Sequence, residues 1–401
     1  MSKVLVIGGG AAGLMSAYAA SQKGHTVELF EKNTQFGKKL LMTGHGRCNI
    51  TNNGSKDDFF KHIVHNEKFL YSAFSQFSNQ DFCEFLHKNG LMTCLEDHGR
   101  LFPSSQCATD VVLFFLDLLK KNQVSLHTQE ECKELWIENQ EIRGIVTNKK
   151  RYTADVVIVA TGGLSFSQTG STGDGLRWAK EYDLKVNPTY PGLVSMKSDF
   201  KDWAGLSFKD IKIKITRENK NNFQGQGDLI FTHQGISGPI ILNASSYVIN
   251  KDVDTLHCDF LPKFDEAYLD QNLVKLFQKN PNKSIYHILE QLFPSRFVQV
   301  LLDRLSISKQ EKANQCNRTK RQAIVNLLKD FPIKITGFGN YNEAMITIGG
   351  ISPKEINPKT MESKQIKGLK FAGELIDLDG QTGGYNLQIA WSTGYCAGST
   401  I

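Results

Sequence analysis

The stretch from Val4 to Glu31 constrains this chain more than any other. Val4-Leu5-Val6-Ile7 is an unbroken β-branched and leucine run, the pattern of a strand buried on both faces of a parallel sheet. It leads into Gly8-Gly9-Gly10-Ala11-Ala12-Gly13, which fits G-x-G-x-x-G. Ala11 to Lys23 follows as an alanine-rich helix that stops before Gly24, a residue suited to a left-handed helix end. Thr26 to Glu31 reads as a second strand closed by its acid. Gly8 permits the sharp turn, Gly10 lets backbone approach a pyrophosphate, and Gly13 lets helix and strand pack closely. The helix start at Ala11 and Ala12 offers free N–H groups and positive partial charge to phosphates. Glu31, with Lys32 beside it, stands 18 residues beyond Gly13, where a carboxylate accepts hydrogen bonds from a ribose diol. The glycine pattern alone is weak, because a ligand-free turn satisfies it. Strand, turn, helix, strand and acid together make it a dinucleotide site, and the acid disfavours a 2′-phosphate.

Two distant segments favour FAD over NAD. Asp155 to Ala160 is another buried strand, and it ends in Ala160-Thr161-Gly162-Gly163, where small residues let backbone pass near a dinucleotide. Near the other end, Gly368-Leu369-Lys370-Phe371-Ala372-Gly373-Glu374 reads as a strand closing on a Gly-acid pair. Asp377, Asp379 and Gly383-Gly384-Tyr385-Asn386-Leu387-Gln388 follow, with a helix expected from about Asn386 to Ala397. Glu374 would hold ribityl hydroxyls, and the helix start at Gly384, Asn386 and Leu387 would face the side of a flavin that gains negative charge on reduction. An NAD-only domain has no need of this segment. No second G-x-G-x-x-G exists, since Gly225-Gln226-Gly227-Asp228 lacks the third glycine, so NADH or NADPH would bind transiently as a donor.

The bulk properties narrow the class further. At 401 residues the chain exceeds one ordinary core, and two or three domains are expected. A formal charge of +6 spread over this length suits a lysine-rich solvated surface and gives little support to nucleic-acid binding. The eight cysteines form no C-x-x-C pair, which argues against a zinc ribbon or a dithiol redox centre; no metal site is expected. Scattered single cysteines suit a reducing cytoplasm. The short apolar run at the start passes straight into glycines, unlike a signal peptide, and no stretch is apolar enough to span a bilayer.

Further motifs carry a family resemblance. They are Gly37 to Asn52 with its Gly46-Arg47-Cys48-Asn49 string, Gly99-Arg100-Leu101-Phe102-Pro103, Thr169 to Gly175, Phe231-Thr232-His233-Gln234-Gly235-Ile236-Ser237-Gly238-Pro239, Thr360 to Lys364 and the Gly373 to Asn386 block. In this order they resemble the bacterial predicted flavoprotein family that includes bile-acid 4,6-reductase-like and aminoacetone-oxidase-like proteins. Thr43 stands where that family often has Ser, and the hydroxyl is kept. The resemblance implies an α/β fold: a split Rossmann-like, glutathione-reductase-like FAD domain over 1–190 and 343–401. It also implies a β-rich insert over 191–264 plus 331–342 and a helical insert over 265–330. The residues agree independently. Ile211-Lys212-Ile213-Lys214-Ile215-Thr216 alternates as a strand does, and Leu273, Leu276, Ile285, Ile288, Leu289 and Leu292 keep helical spacing.

The candidate chemistry sits in four places. Lys38, Thr43, Gly44, Arg47 and Asn49 form a glycine-rich loop that would lie along pyrophosphate and flavin, against the plainer reading of a surface loop. Cys132, in strand-like Glu131 to Trp136, would touch adenine through its backbone, while Cys48 reads as a small buried residue rather than a redox thiol. His233 is either a general acid or a turn histidine; His45 is a weaker equivalent. Tyr385 is either a proton donor or a stacking side chain. The expected function is an FAD-dependent oxidoreductase moving hydride through the flavin, with NAD(P)H reducing a small organic substrate. An oxygen-using amine oxidase is the alternative. An alternative of another class, a flavin-dependent RNA-modifying or RNA-binding protein, rests on Lys309, Lys312, Arg318, Lys320 and Arg321 in the helical insert.

Overall fold

A computed structural model describes residues 1–198, 200, 202–218, 220–251, 253 and 255–401. The chain forms two compact units, Met1–Gly192 with Asn340–Ile401, and Leu193–Gly339.

The first unit is built on a five-stranded parallel sheet. Its order across the sheet is Leu369–Phe371, Val156–Val159, Lys3–Ile7, Thr26–Phe30 and Ser125–His127. Val4, Leu5, Val6, Val157, Ile158 and Val159 have no exposed surface, as expected of strands covered on both faces. The first helix spans Ala11–Gln22, with Lys23 as its C-cap and Gly24 left-handed at φ +79°, one residue short of the expected span. The second strand stops at Phe30, because the Glu31 side chain turns inward. The C-terminal helix, Tyr385–Ser399, starts one residue earlier and ends two later than expected. It packs against the first helix so closely that a Cβ on Gly394 would lie 2.5 Å from the Ala12 carbonyl oxygen, and one on Gly398 2.3 Å from that of Ser16. The two ends of the chain are therefore joined at the nucleotide turn. An antiparallel meander, Cys132–Glu138, Glu141–Thr147 and Arg151–Thr153, lies between the third and fourth sheet strands in sequence.

Lys370 lies in this core, 2% exposed, on the edge strand of the parallel sheet. Its Nζ donates to the carbonyls of Ala397 (3.0 Å) and Thr400 (3.1 Å) and to Thr400 Oγ1 (2.9 Å), closing the end of the C-terminal helix. Burial pushes this ammonium down to about 8, with Glu362 and Cys396 pulling the other way. The unfolded chain thus binds more protons than the folded one between about pH 8 and pH 10.5. Stability should rise with pH across that window by at most about 3 kcal/mol. Denaturant titrations at both ends of the window check this, and a Lys370→Met protein with the same pH slope would refute it.

The second unit holds a seven-stranded sheet. Its long hairpin, Ser207–Arg217 with Lys220–Thr232, is flanked by Thr255–Asp259 and Phe331–Lys334 on one side and Gly235–Ser237 on the other. Ile211, Ile213, Ile215, Leu229, Phe231, Leu256, Cys258, Phe331 and Ile333 all point to one face. There they share a core with the helices Pro239–Val248, Glu266–Lys279, Ile285–Leu289, Ser295–Arg304 and Arg318–Lys329. Among the described residues no helix is long and apolar enough to cross a membrane.

Candidate active site

The site of the first unit forms where the parallel strands end. At Gly8, φ is +103° and a Cβ would meet the Ala160 carbonyl oxygen at 2.4 Å; at Gly13 it would meet that of Gly8 at 1.8 Å. Neither position admits a side chain. A Cβ on Gly10, by contrast, meets nothing within 4 Å, so the turn faces open space beside the helix start. Gly10 caps that helix without any side-chain hydrogen bond, and Ala11 and Ala12 follow in its uncapped first turn. Glu31 is buried at the end of its strand. Its Oε2 accepts the Gly9 N–H (2.9 Å), while Oε1 accepts the Asn33 N–H (2.8 Å) and Nδ2 (2.7 Å). Open space, free amides and a buried acid fit the diphosphate and ribose of a dinucleotide.

The start of the C-terminal helix is a second such place. Gly384, φ +99°, is its N-cap, again without a side-chain hydrogen bond. A Cβ there would overlap Thr51, with the carbonyl carbon and oxygen both at 2.4 Å. With its amide nitrogen donating to the Thr51 and Leu101 carbonyls (3.1 and 3.2 Å), Asn49 accepts the Gly384 N–H (3.0 Å). Asn386 ties down the preceding turn through Gly380 N–H (2.9 Å), Gly380 O (2.7 Å) and Gln381 O (3.1 Å). Leu387 is half-buried in the first helical turn. Tyr385 is 5% exposed and stacks on His62, 4.5 Å between centroids and 6° apart in plane. Burial, with Asp58 adding to it, pushes its phenol up to about 12, so the ring keeps its proton at neutral pH.

Several expected contacts of the loops are engaged with other side chains. Lys32 pairs with Asp174 and Thr172, each at 2.6 Å, holding the segment after Gly170 against the second strand. Arg47 pairs with Glu96 (2.8 Å) and Gln106 (2.9 Å) and lies 4.2 Å over the Phe102 ring. Thr43 donates to the Leu40 carbonyl (2.7 Å), and Gly44 is left-handed at φ +57° against Asn49. Lys38 is half-buried and makes no ion pair among the described residues. Thr161 accepts the Gly175 N–H (3.2 Å), Gly162 is left-handed beside Ser171, and Gly373 donates its N–H to Thr393 (3.0 Å). Glu374 has both oxygens occupied. Lys39 reaches Oε2 at 2.5 Å; Ser165 (2.5 Å) and the Thr347 N–H (2.9 Å) reach Oε1.

Lys39, Ser165 and Thr347 escaped the sequence reading, because Lys39 and Glu374 are 335 residues apart and only the fold brings them together. Asp379 escaped it as a site residue too, although it lies in the singled-out block. It is 1% exposed; its Oδ1 meets His65 Nδ1 at 2.6 Å, and its Oδ2 has no hydrogen-bond partner among the described residues. Burial raises its carboxyl above the ordinary range, with His65 opposing. This carboxyl is closed off inside the protein, and its pairing with His65 ties the segment before the Gly384 cap to the strand Ile63–His65.

Neither Cys48 nor Cys132 is placed as a reactive thiol. Cys48 has no exposed surface, and burial pushes its thiol up to about 12; Cys132 is held up likewise. Replacing Cys48 by Ala should therefore leave flavin content unchanged and turnover within about threefold, as for a small core residue. A much larger loss in steady-state assays would restore the thiol as a participant. In the second unit, His233 and Gln234 form the exposed two-residue turn between Lys220–Thr232 and Gly235–Ser237. The helical basic stretch is partly neutralised: Lys320 pairs with Glu311 (2.7 Å), and Arg321 binds Asp270 through two nitrogens (2.6 and 3.1 Å). Gly225 and Gly227 lie within a strand, not at a helix start.

Comparison with known proteins shows the family and the fold. A family model described as "HI0933-like protein Rossmann domain" matches residues 2–400. The chain is 31% identical to a ribosomal RNA dihydrouridine synthase of Escherichia coli, covering 99% of this chain and 97% of that one. It is 29% identical to a 3-dehydro-bile acid delta(4,6)-reductase of Clostridium scindens, over 99% and 98%. Among solved structures, the 3-ketosteroid delta1-dehydrogenase of Sterolibacterium denitrificans superposes with a TM-score of 0.54 at 12% identity, covering 99% of this chain and 98% of that one, which shows a shared fold.

Proposed function

The chain belongs to the HI0933-like family of Rossmann-domain proteins and is an FAD-dependent oxidoreductase, and from that premise we propose that it saturates a carbon–carbon double bond conjugated to a carbonyl, with the uracil C5=C6 bond of RNA as its substrate. One observation carries this reading. Two relatives alike over nearly their whole length are named for reactions of one chemical type. Forming dihydrouridine adds two hydrogens across a bond conjugated to the C4 carbonyl. A delta(4,6)-reductase acting on a 3-dehydro bile acid reduces double bonds conjugated to the 3-oxo group. The identity to the dihydrouridine synthases, 31% and 30%, favours the pyrimidine.

Bound FAD would supply hydride-transfer chemistry between NADH or NADPH and the β-carbon of the conjugated system. The chain supplies position and charge. The turn at Gly8, Gly10, Ala11, Ala12 and Gly13 would hold the diphosphate, and Glu31 the adenosine ribose. Glu374 keeps Lys39 beside the strand ends. The first turn of the C-terminal helix, from Tyr385 to Leu387, would stabilise negative charge on the bound group. Tyr385, protonated at neutral pH, is the acid we assign to the α-carbon, with His233 as the rival. The balance is substrate plus NAD(P)H plus a proton giving the saturated product and NAD(P)+.

The test is anaerobic incubation of the yellow protein with NADH or NADPH and ribosomal RNA lacking dihydrouridine, followed by mass spectrometry of the nucleosides. Dihydrouridine lost in Tyr385→Phe and kept in His233→Ala supports the assignment. Reduction of a 3-oxo-4,6-diene steroid without any change in RNA would replace the pyrimidine by a small enone. Peroxide release with an amine would move the protein to the oxidases.

A further inference from the structure

We infer that the outer face of four neighbouring strands of the seven-stranded sheet in the second unit, Phe331–Lys334, Thr255–Asp259, Ser207–Arg217 and Lys220–Thr232, is a platform for the phosphate backbone of single-stranded RNA; this rests on the pyrimidine reading above. The hydrophobic core lies wholly on the opposite face of that sheet, where Ile211, Ile213 and Ile215 alternate with what the outer face presents. The strand registers lay this outer face out as a grid. One row runs Pro332, His257, Lys214, Gln224; the next runs Asp259, Lys212, Gln226. On the other side of the first row, Lys334 lies opposite Thr255, which in turn lies opposite Thr216. Lys212, Lys214, Lys334, Gln224 and Gln226 are all exposed.

The charge balance on this face is positive. Asp259 is neutralised by Lys329 at 2.7 Å, and Asp330 meets His257 at 2.7 Å. Asp210 is held by Lys263 (3.2 Å) and Gln226 (2.9 Å). Lys212, Lys214 and Lys334 have no carboxylate partner among the described residues. Three unpaired ammonium groups remain against one exposed carboxylate without an ion pair, Asp228, and the Gln224 amide lies beside them. Lys212 and Lys214, two apart on one strand, are separated by about 7 Å, a spacing suited to successive anionic groups along an extended chain. The exposed apolar residues of this face, Pro332 and Ile230, stand on strands apart from each other and form no continuous patch for a second protein. The helical basic stretch, where sequence would place RNA contact, has lost two of its charges to acids.

The probe is a fluorescein-labelled oligouridylate titrated with the FAD-loaded full chain at increasing KCl. Each phosphate–lysine contact adds about 0.7 to the slope of log affinity against log salt, so Lys212→Glu/Lys214→Glu/Lys334→Glu should flatten the slope by about 2. Binding at low salt should weaken at least about tenfold. Lys68→Glu/Lys185→Glu/Lys359→Glu changes net charge equally at exposed lysines of the first unit and should leave the slope as it is. The milder triple Gln variant, with unchanged flavin content, guards against misfolding. If the Glu triple binds the oligonucleotide with the wild-type slope, the platform is wrong even where ribosomal RNA is still reduced. Retention by phosphatidylglycerol vesicles with no RNA binding would also overturn it, in favour of a membrane surface. Absence of dihydrouridine with every RNA is the separate failure of the pyrimidine reading.

Discussion

Gly10→Val yields a folded, colourless protein. The Gly10 backbone is extended, φ −84°, and a Cβ there meets no protein atom within 4 Å, so valine fits the polypeptide without strain. What it fills is the space in front of the free helix amides, where the dinucleotide phosphates must come. FAD affinity should fall by at least about a hundredfold, the loss expected when a charged group is held off its donors by a side chain. Gly13→Ala is the contrasting case. Its Cβ would stand 1.8 Å from the Gly8 carbonyl oxygen, so helix and strand must part. Destabilisation of about 3 kcal/mol or more should accompany the loss of colour. Flavin absorbance relative to protein, together with melting temperature, separates the two. A Gly10→Val protein that purifies with a full complement of FAD would remove the nucleotide turn from the account.

Glu374→Ala should cost both stability and cofactor. The carboxylate is the common partner of Lys39, Ser165 and the Thr347 amide, drawn from three separate parts of the first unit. Side-chain exposure at Lys39 and Glu374 is 22% and 21%, so solvent screens the pair only in part. Removing the acid leaves a mostly buried ammonium unpaired, which costs about 2 kcal/mol once that screening is allowed for. Glu374→Gln keeps the Thr347 and Ser165 hydrogen bonds and loses the charge, so its loss of stability should be about half. Flavin release on dilution should follow the same order. Equal stability of all three proteins in urea would show that the pair is a surface ornament.

The nucleotide turn was legible because its logic is local. A buried strand, three glycines at fixed spacing, a helix and an acid lie within 31 residues, and each follows from backbone sterics. The C-terminal helix was legible for the same reason, with its ends displaced by one or two residues where fraying and caps decide. For Lys32, Arg47 and Glu374 the sequence shows a charge but not its partner within the protein. In the structure each faces an opposite charge 49 to 335 residues away. Asp379 carried no signal of its own, since burial and an unpaired oxygen are properties of the surroundings.

The alternation of Ile211 to Thr216 tells a similar story. Period two predicted a half-buried strand, and a half-buried strand is what formed. Which lysines it would bring beside Lys334 depended on the strand Thr255–Asp259 lying between them.

Sequence by itself determined the fold class, the dinucleotide turn and the two helix starts, because φ/ψ limits and hydrophobic period act between neighbours along the chain. Tertiary structure alone decided which charges are neutralised, which oxygen is left without a donor and which lysines share one sheet face. Those properties depend on distances through space between residues far apart in order, and Coulomb and hydrogen-bond energies fall off over a few ångströms.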